Sequence, residues 1–225
     1  MKNTKGADTP LQIGKRVDEH EERDESVLKI TYRELVGSLL YLTNKTRPDM
    51  AFAVNYESRS LENPTKTDIE NVKRTFKYLK VTENLGIRYK RISNLTLAAY
   101  TDSDYAGDLK TRKSTSGHVL MFCGGLVAWW SRKQPIVALS TTVAEHIAAS
   151  ECVKEVMYAK TFIEELVGKE LSVRLHLDNQ STIRLIETGQ LNRRSKHIDV
   201  RYHFISEKVS QKVLTLNYCP SQYIS

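Results

Sequence analysis

Four carboxylates stand out by where they fall relative to apolar runs. Asp102 follows the apolar run 95–100, inside Tyr100-Thr101-Asp102-Ser103-Asp104-Tyr105-Ala106-Gly107-Asp108, and the later acids Glu145, Asp178 and Asp199 each adjoin another apolar segment. A carboxylate closing a buried strand is held rigidly and points out of the sheet, which suits a metal ligand. Carboxylates gathered within a few ångström repel, and each tends to keep its proton. Two Mg²⁺ ions, held about 3.5–4 Å apart, remove that conflict and add chemistry, one activating a water and the other stabilising a leaving oxygen. Mg²⁺ takes oxygen ligands and keeps waters, so a few carboxylates and a substrate phosphate suffice; carboxylate sites suit Mn²⁺ as well. The residues predict a metal-dependent nuclease centre with Asp102, Glu145, Asp178 and Asp199 as metal ligands and catalytic groups. His197, two residues before Asp199, is a candidate auxiliary for proton transfer or product release, or equally a plain helix-start residue.

Each acid also has a plainer reading. Asp102 sits in ordinary turn chemistry. Thr142 and Glu145 fit a Thr-x-x-Glu capping box. Asp178 could cap the helix after it, and Asp199 could simply favour a helix dipole.

Basic residues surround these acidic stations in expected loops: Lys110-Thr111-Arg112-Lys113, Arg132-Lys133 and Arg193-Arg194-Ser195-Lys196-His197. Lys113, Arg132, Lys133, Arg193, Arg194 and Lys196 are therefore candidate nucleic-acid contacts, holding a strand while metal occupies the acids. The net charge of +7 points weakly the same way. The lysines and arginine at 73, 74, 77 and 80 read as readily as a solvated helix face.

The elements that must position these groups can be read in order. Residues 1–27 are polar, with a charged run at 18–25, and read as a tail or linker. Three helical patterns follow: from 31 or 32 to 42, then 49–61 after Arg47-Pro48, then from Pro64-Thr65 to 79. Strands are expected at 95–100, 118–122 and 126–130, the last two joined by a Gly124-Gly125 hairpin turn. A long helix at 140–167, a strand at 172–177, helices at 181–188 (stopped by Gly189) and 197–209, and a strand at 213–218 complete the chain. The order β-β-β-α-β-α-α-β implies an α/β fold, a mixed five-stranded sheet flanked by helices and preceded by a small helical subdomain. The domains are expected at 1–27, 28–90 and 91–225. No apolar run approaches the roughly 20 residues that cross a bilayer, and no apolar segment follows the first residues as in a signal peptide. The three scattered cysteines read as reduced thiols of a cytosolic or nuclear protein.

These motifs carry a family resemblance. Residues 95–218 resemble the ribonuclease H domain of copia-type retrotransposon polyproteins, through the Asp102 motif, Lys113-Ser114-Thr115-Ser116-Gly117, Trp130-Ser131-Arg132-Lys133-Gln134, Ala138-Leu139-Ser140-Thr141-Thr142, Ala144-Glu145, Leu177-Asp178-Asn179-Gln180 and Lys196-His197-Ile198-Asp199. The helical part resembles the end of the reverse transcriptase in the same polyproteins, through Tyr32-Arg33-Glu34-Leu35-Val36-Gly37-Ser38-Leu39-Leu40-Tyr41-Leu42, Thr46-Arg47-Pro48-Asp49 and Val72-Lys73-Arg74. The resemblance implies a ribonuclease H-like fold and Mg²⁺-dependent hydrolysis of the RNA strand of RNA–DNA hybrids during reverse transcription. It also implies that the family's metal-binding acids fall on Asp102, Glu145, Asp178 and Asp199. The implied partners are the hybrid and the palm and fingers of the same polyprotein, with no membrane. The implied location is a cytoplasmic virus-like particle, or the nucleus. The alternative is a nucleic-acid-binding remnant that keeps the fold without turnover, since Val143-Ala144-Glu145-His146 stands where the family usually has Glu-Ala-Glu-Tyr.

Overall fold

The computed structural model describes residues 5–12, 27–91, 95–188 and 199–220. The chain divides into two compact units, Met1–Ile87 and Arg88–Ser225.

The first unit has three helices, α1 (Val27–Lys45), α2 (Ala51–Ser58) and α3 (Lys66–Val81), with a 3-10 turn at Pro48–Met50 before α2. Tyr32, Val36 and Leu39 recur on one face of α1 and bury themselves against Met50, Val54 and Val72. Pro48 lacks the N–H that a first turn leaves unpaired anyway, which suits the turn start. Pro64-Thr65 marks the start of α3 as expected. The Thr65 hydroxyl accepts from the Asp68 amide at 3.2 Å, and the Thr65 amide donates to Asp68 Oδ2 at 2.9 Å. Glu57 ties the three helices together: its buried carboxylate accepts from the Thr75 hydroxyl at 2.6 Å, and its backbone carbonyl accepts from Tyr32 Oη at 2.8 Å.

Inside the stretch read as a tail, residues 5–12 lie against α3 instead of extending away. Ala7 is buried, and the Pro10 carbonyl lies 3.0 Å from the Thr75 hydroxyl, within hydrogen-bond distance. Polar composition does not reveal this packing, because the anchoring groups are a backbone carbonyl and one small side chain. The charged run 18–25 lies outside the described residues.

The second unit is the mixed five-stranded sheet, in the order β3-β2-β1-β4-β5. Its strands are β1 (Thr96–Asp104), β2 (Thr115–Phe122), β3 (Gly125–Lys133), β4 (Ser172–Leu177) and β5 (Thr215–Tyr218), with helices α4 (Thr141–Val167), α5 (Gln180–Thr188) and α6 (Asp199–Ser210). The first three strands pair antiparallel, β4 pairs parallel with β1, and β5 pairs parallel with β4, as the crossovers require. Leu97, Ala99, Leu120, Val173 and Leu175 form the core with Ala149, Cys152, Val153 and Val156 of α4. Gly168 ends α4 at φ 67°, a left-handed cap that a residue without Cβ adopts freely.

Two expectations are corrected. β1 does not stop at residue 100; it runs to Asp104 because β2 begins at Thr115 and pairs with it throughout, Asp102 opposite Gly117. Asp102 is thus a strand residue rather than a strand terminus. The hairpin turn is Cys123-Gly124, not Gly124-Gly125: Phe122 pairs with Gly125, and φ is 52° at Cys123 and 70° at Gly124. Two successive positive φ angles give the twist that two-residue hairpins favour. The expected start of α6 at 197 and Gly189, the expected stop of α5, lie outside the described residues, in which α6 is Asp199–Ser210.

Candidate metal centre

The register of the parallel strands sets up the site. Tyr100 on β1 pairs with His176 on β4. Continuing that register by two residues brings Asp102 beside Asp178, the first residue after β4. The pair is fixed by contact as well as by register, because the Tyr100 and His176 rings stack with centroids 4.4 Å apart and planes 12° from parallel. The third acid, Glu145, comes from the first turns of α4, which packs on β1 and β2. One oxygen from each of Asp102, Glu145 and Asp178 lies within 4.8 Å of the other two.

The plainer readings of two of these acids fail on geometry. The N-cap of α4 is Ser140, whose hydroxyl accepts from the Val143 amide at 3.2 Å; Thr142 is already inside the helix, so Glu145 completes no capping box. The Asn179 side chain, not that of Asp178, accepts from the Thr182 amide at 3.0 Å ahead of α5. Helix capping by the expected residues therefore accounts for neither Glu145 nor Asp178.

Electrostatics reinforce the assignment. The Ser103 amide donates to Asp102 Oδ1 at 2.7 Å and to Glu145 Oε1 at 3.1 Å, so one N–H orients two acids. Glu145 is 5% exposed, and its Oε2 has no hydrogen-bond partner. Burial, then the charges of Asp102 and Asp178, push its carboxyl up to about 9. A buried carboxyl with one oxygen unpaired, facing two more acids, is costly to ionise unless a cation neutralises it. Oxygen-only donors partly open to solvent, as Asp102 is, fit Mg²⁺ or Mn²⁺ rather than zinc.

Asp199 lies in α6, but its side chain is outside what the structure describes, as are His197, Arg193, Arg194 and Lys196. The remaining basic candidates are divided by the sheet. Lys133 pairs across β2 with Thr115, which pairs with Asp104, so it shares a face with Asp102; Arg132 belongs to the row of Ser116 and Ser103 on the other face. Lys133 Nζ lies 3.0 Å from Asp108. Burial raises the Asp108 carboxyl, but the Thr111 amide and Lys133 outweigh it and hold it at about 2. Arg132 covers the Trp130 ring at 5.3 Å, and Lys113 is half-buried in the approach to β2. A Cβ at Gly107 would meet the exposed Asp104 carboxylate, which would have to turn aside.

One positioning residue was not singled out from sequence. Gln134 is buried, and its Nε2 donates to Ser116 Oγ at 2.8 Å and to the Ala144 carbonyl at 2.9 Å. It fastens the first turn of α4, and so Glu145, to the end of the β2–β3 hairpin. The only signal was its place in the Trp130–Gln134 motif.

No protein-family model matches the chain. It is 42% identical over 219 residues to the retrovirus-related Pol polyprotein from transposon TNT 1-94 of Nicotiana tabacum, a match covering 95% of this chain and 16% of that protein. It is 36% identical over 185 residues to the corresponding polyprotein from transposon RE1 of Arabidopsis thaliana, covering 81% of this chain and 12% of that one. A shorter relative, the secreted RxLR effector protein 161 of Plasmopara viticola, is 40% identical over 129 residues, 57% of this chain and 91% of that protein. Among solved structures, the chain is similar to LC11-RNase H1 in complex with RNA/DNA hybrid, at a TM-score of 0.44 and 17% identity, covering 57% of this chain and 88% of that one. The chain thus spans under a fifth of the length of the two polyproteins.

Proposed function

Since the chain belongs to the retrovirus-related Pol polyproteins of copia-type transposons, we propose that its second unit is a Mg²⁺-dependent ribonuclease H cutting the RNA strand of RNA–DNA hybrids during reverse transcription. The observation that carries this reading is the convergence of Asp102, Glu145 and Asp178, with Glu145 buried and one of its oxygens unpartnered. Asp199 is the proposed fourth ligand, and the first unit is the proposed end of the reverse transcriptase, working with the polymerase portion of the same polyprotein.

Asp102, Glu145 and Asp178 would hold the metal. When bound, divalent ions supply an activated water and a counter-charge for the leaving oxygen of an in-line displacement. The chain's own contribution is placement. The Ser103 amide holds Asp102 and Glu145 at a fixed angle, and Gln134 fixes the start of the helix that carries Glu145. Lys133, on the Asp102 face, offers a cation to the phosphate backbone, with Asp108 limiting its reach. Hybrid recognition would rest on backbone geometry and the 2′-hydroxyl rather than base edges.

The test is cleavage of a labelled RNA–DNA hybrid with Mg²⁺ or Mn²⁺, by the intact chain and by Asp102→Asn, with duplex DNA and single-stranded RNA as controls. Loss of the RNA strand only with the parent chain supports the reading. A folded parent chain that binds hybrid and cuts nothing would reassign it as a binding remnant.

A further inference from the structure

The second half of α4 turns an apolar stripe to solvent. Tyr158, Phe162 and Leu166 follow at the four-residue spacing that lines side chains along one helix face, and they are 73%, 57% and 75% exposed. The core of the unit does not use them; it takes Val156 and Ile163 from the other side of the helix. An exposed apolar row with nothing to do in the fold marks a contact surface.

The charges at its two ends indicate what fits. Glu155 precedes the row, Lys169 follows it just past the Gly168 cap, and both are exposed. If two such helices pack antiparallel about Phe162, Tyr158 of one falls opposite Leu166 of the other, both being four residues from the centre, and Glu155 faces the end of the partner helix, where Lys169 follows the Gly168 cap. An isologous contact demands this self-complementarity: apolar against apolar at the centre, acid against base at both rims. We propose that the stripe is a self-association surface and that its occupant is a second copy of this chain, packed antiparallel through α4. Three large side chains per copy make a small interface, so the association is weak and concentration-dependent. It is independent of the metal centre.

Sedimentation velocity on the full chain, over a wide range of concentration, tests it. The average mass should climb above the 25.8 kDa of one chain. Phe162→Glu should weaken association about a hundredfold, since the central position meets itself. Glu155→Lys and Lys169→Glu should each weaken it about tenfold, each change being felt at two rims, and the double reversal should restore it. Circular dichroism should be unchanged in all four variants, as the altered side chains are exposed. A mass that stays at one chain throughout, an association indifferent to Phe162→Glu, or a double reversal as weak as the singles would each overturn the proposal.

Discussion

The Tyr100 ring lies flat on the His176 ring, 4.4 Å between centroids, two residues ahead of Asp102 on β1 and of Asp178 just past the end of β4. The stack pins the spacing of the two acids. Stacked ring pairs add about 1 kcal/mol beyond their burial. His176→Ala should therefore lower stability by roughly 1–2 kcal/mol in urea titration. Hybrid cleavage should fall while metal dependence is kept, because the ligands remain but their separation loosens. A variant that cuts as well as the parent would show that backbone register alone sets the distance.

Glu145→Gln should abolish cleavage without harming the fold. Burial and two neighbouring acids already keep the Glu145 carboxyl protonated near neutrality, at about 9, so an amide replaces one neutral group by another of the same shape. Without added metal the variant should melt no lower than the parent at pH 7. Its Mg²⁺ affinity, by titration calorimetry, should fall at least about 100-fold, the upper range seen for losing even an outer partner of a metal ligand.

Glu57 makes the first unit sensitive to pH. Burial, and to a lesser degree the Asp68 charge, raise its carboxyl to about 7 from an ordinary 4.5, against the lowering effect of the Thr75 hydroxyl. The folded chain holds this proton more tightly than the unfolded one, so the added stability is complete below pH 4.5 and is lost as pH rises through 7. The loss is of order 3 kcal/mol. Amide exchange over α1, α2 and α3 should quicken across that range, and Glu57→Gln should flatten the dependence.

The turn between β2 and β3 places a non-glycine residue at positive φ. Cys123 sits at φ 52° before Gly124 at φ 70°, a pair of angles for which Asn-Gly is the preferred sequence. Cys123→Asn should stabilise by about 0.5–1 kcal/mol, and Gly124→Val should destabilise by at least that much. Urea midpoints of both variants against the parent would decide it.

Element type and order were legible because apolar spacing reports period directly, and the strand–helix crossovers fix which strands run parallel. The end of β1 was not. Thr101-Asp102-Ser103-Asp104 is polar enough to read as a turn, and only its pairing with Thr115–His118, an equally polar stretch, keeps it extended. The acids were legible as candidates, but their helix-capping alternatives could not be dismissed without seeing Ser140 and Asn179 in the capping positions. Gln134 escaped because a lone glutamine after a basic pair carries no periodic or charge signal. The docking of residues 5–12 escaped because its anchor is a backbone carbonyl.

The three clustered acids lie on β1, on α4 and just after β4, far apart along the chain and brought together by sheet pairing and by the packing of α4 on the sheet. A chain emerging from the ribosome carries Asp102 and Glu145 well before Asp178 is made, and the β1–β4 contact that unites them is among the slower kinds to form. Under the proposed function, RNA cleavage would thereby be withheld during synthesis: a nascent or prematurely terminated chain that stops short of β4 holds two acids with no third to complete the set, and is expected to leave RNA intact.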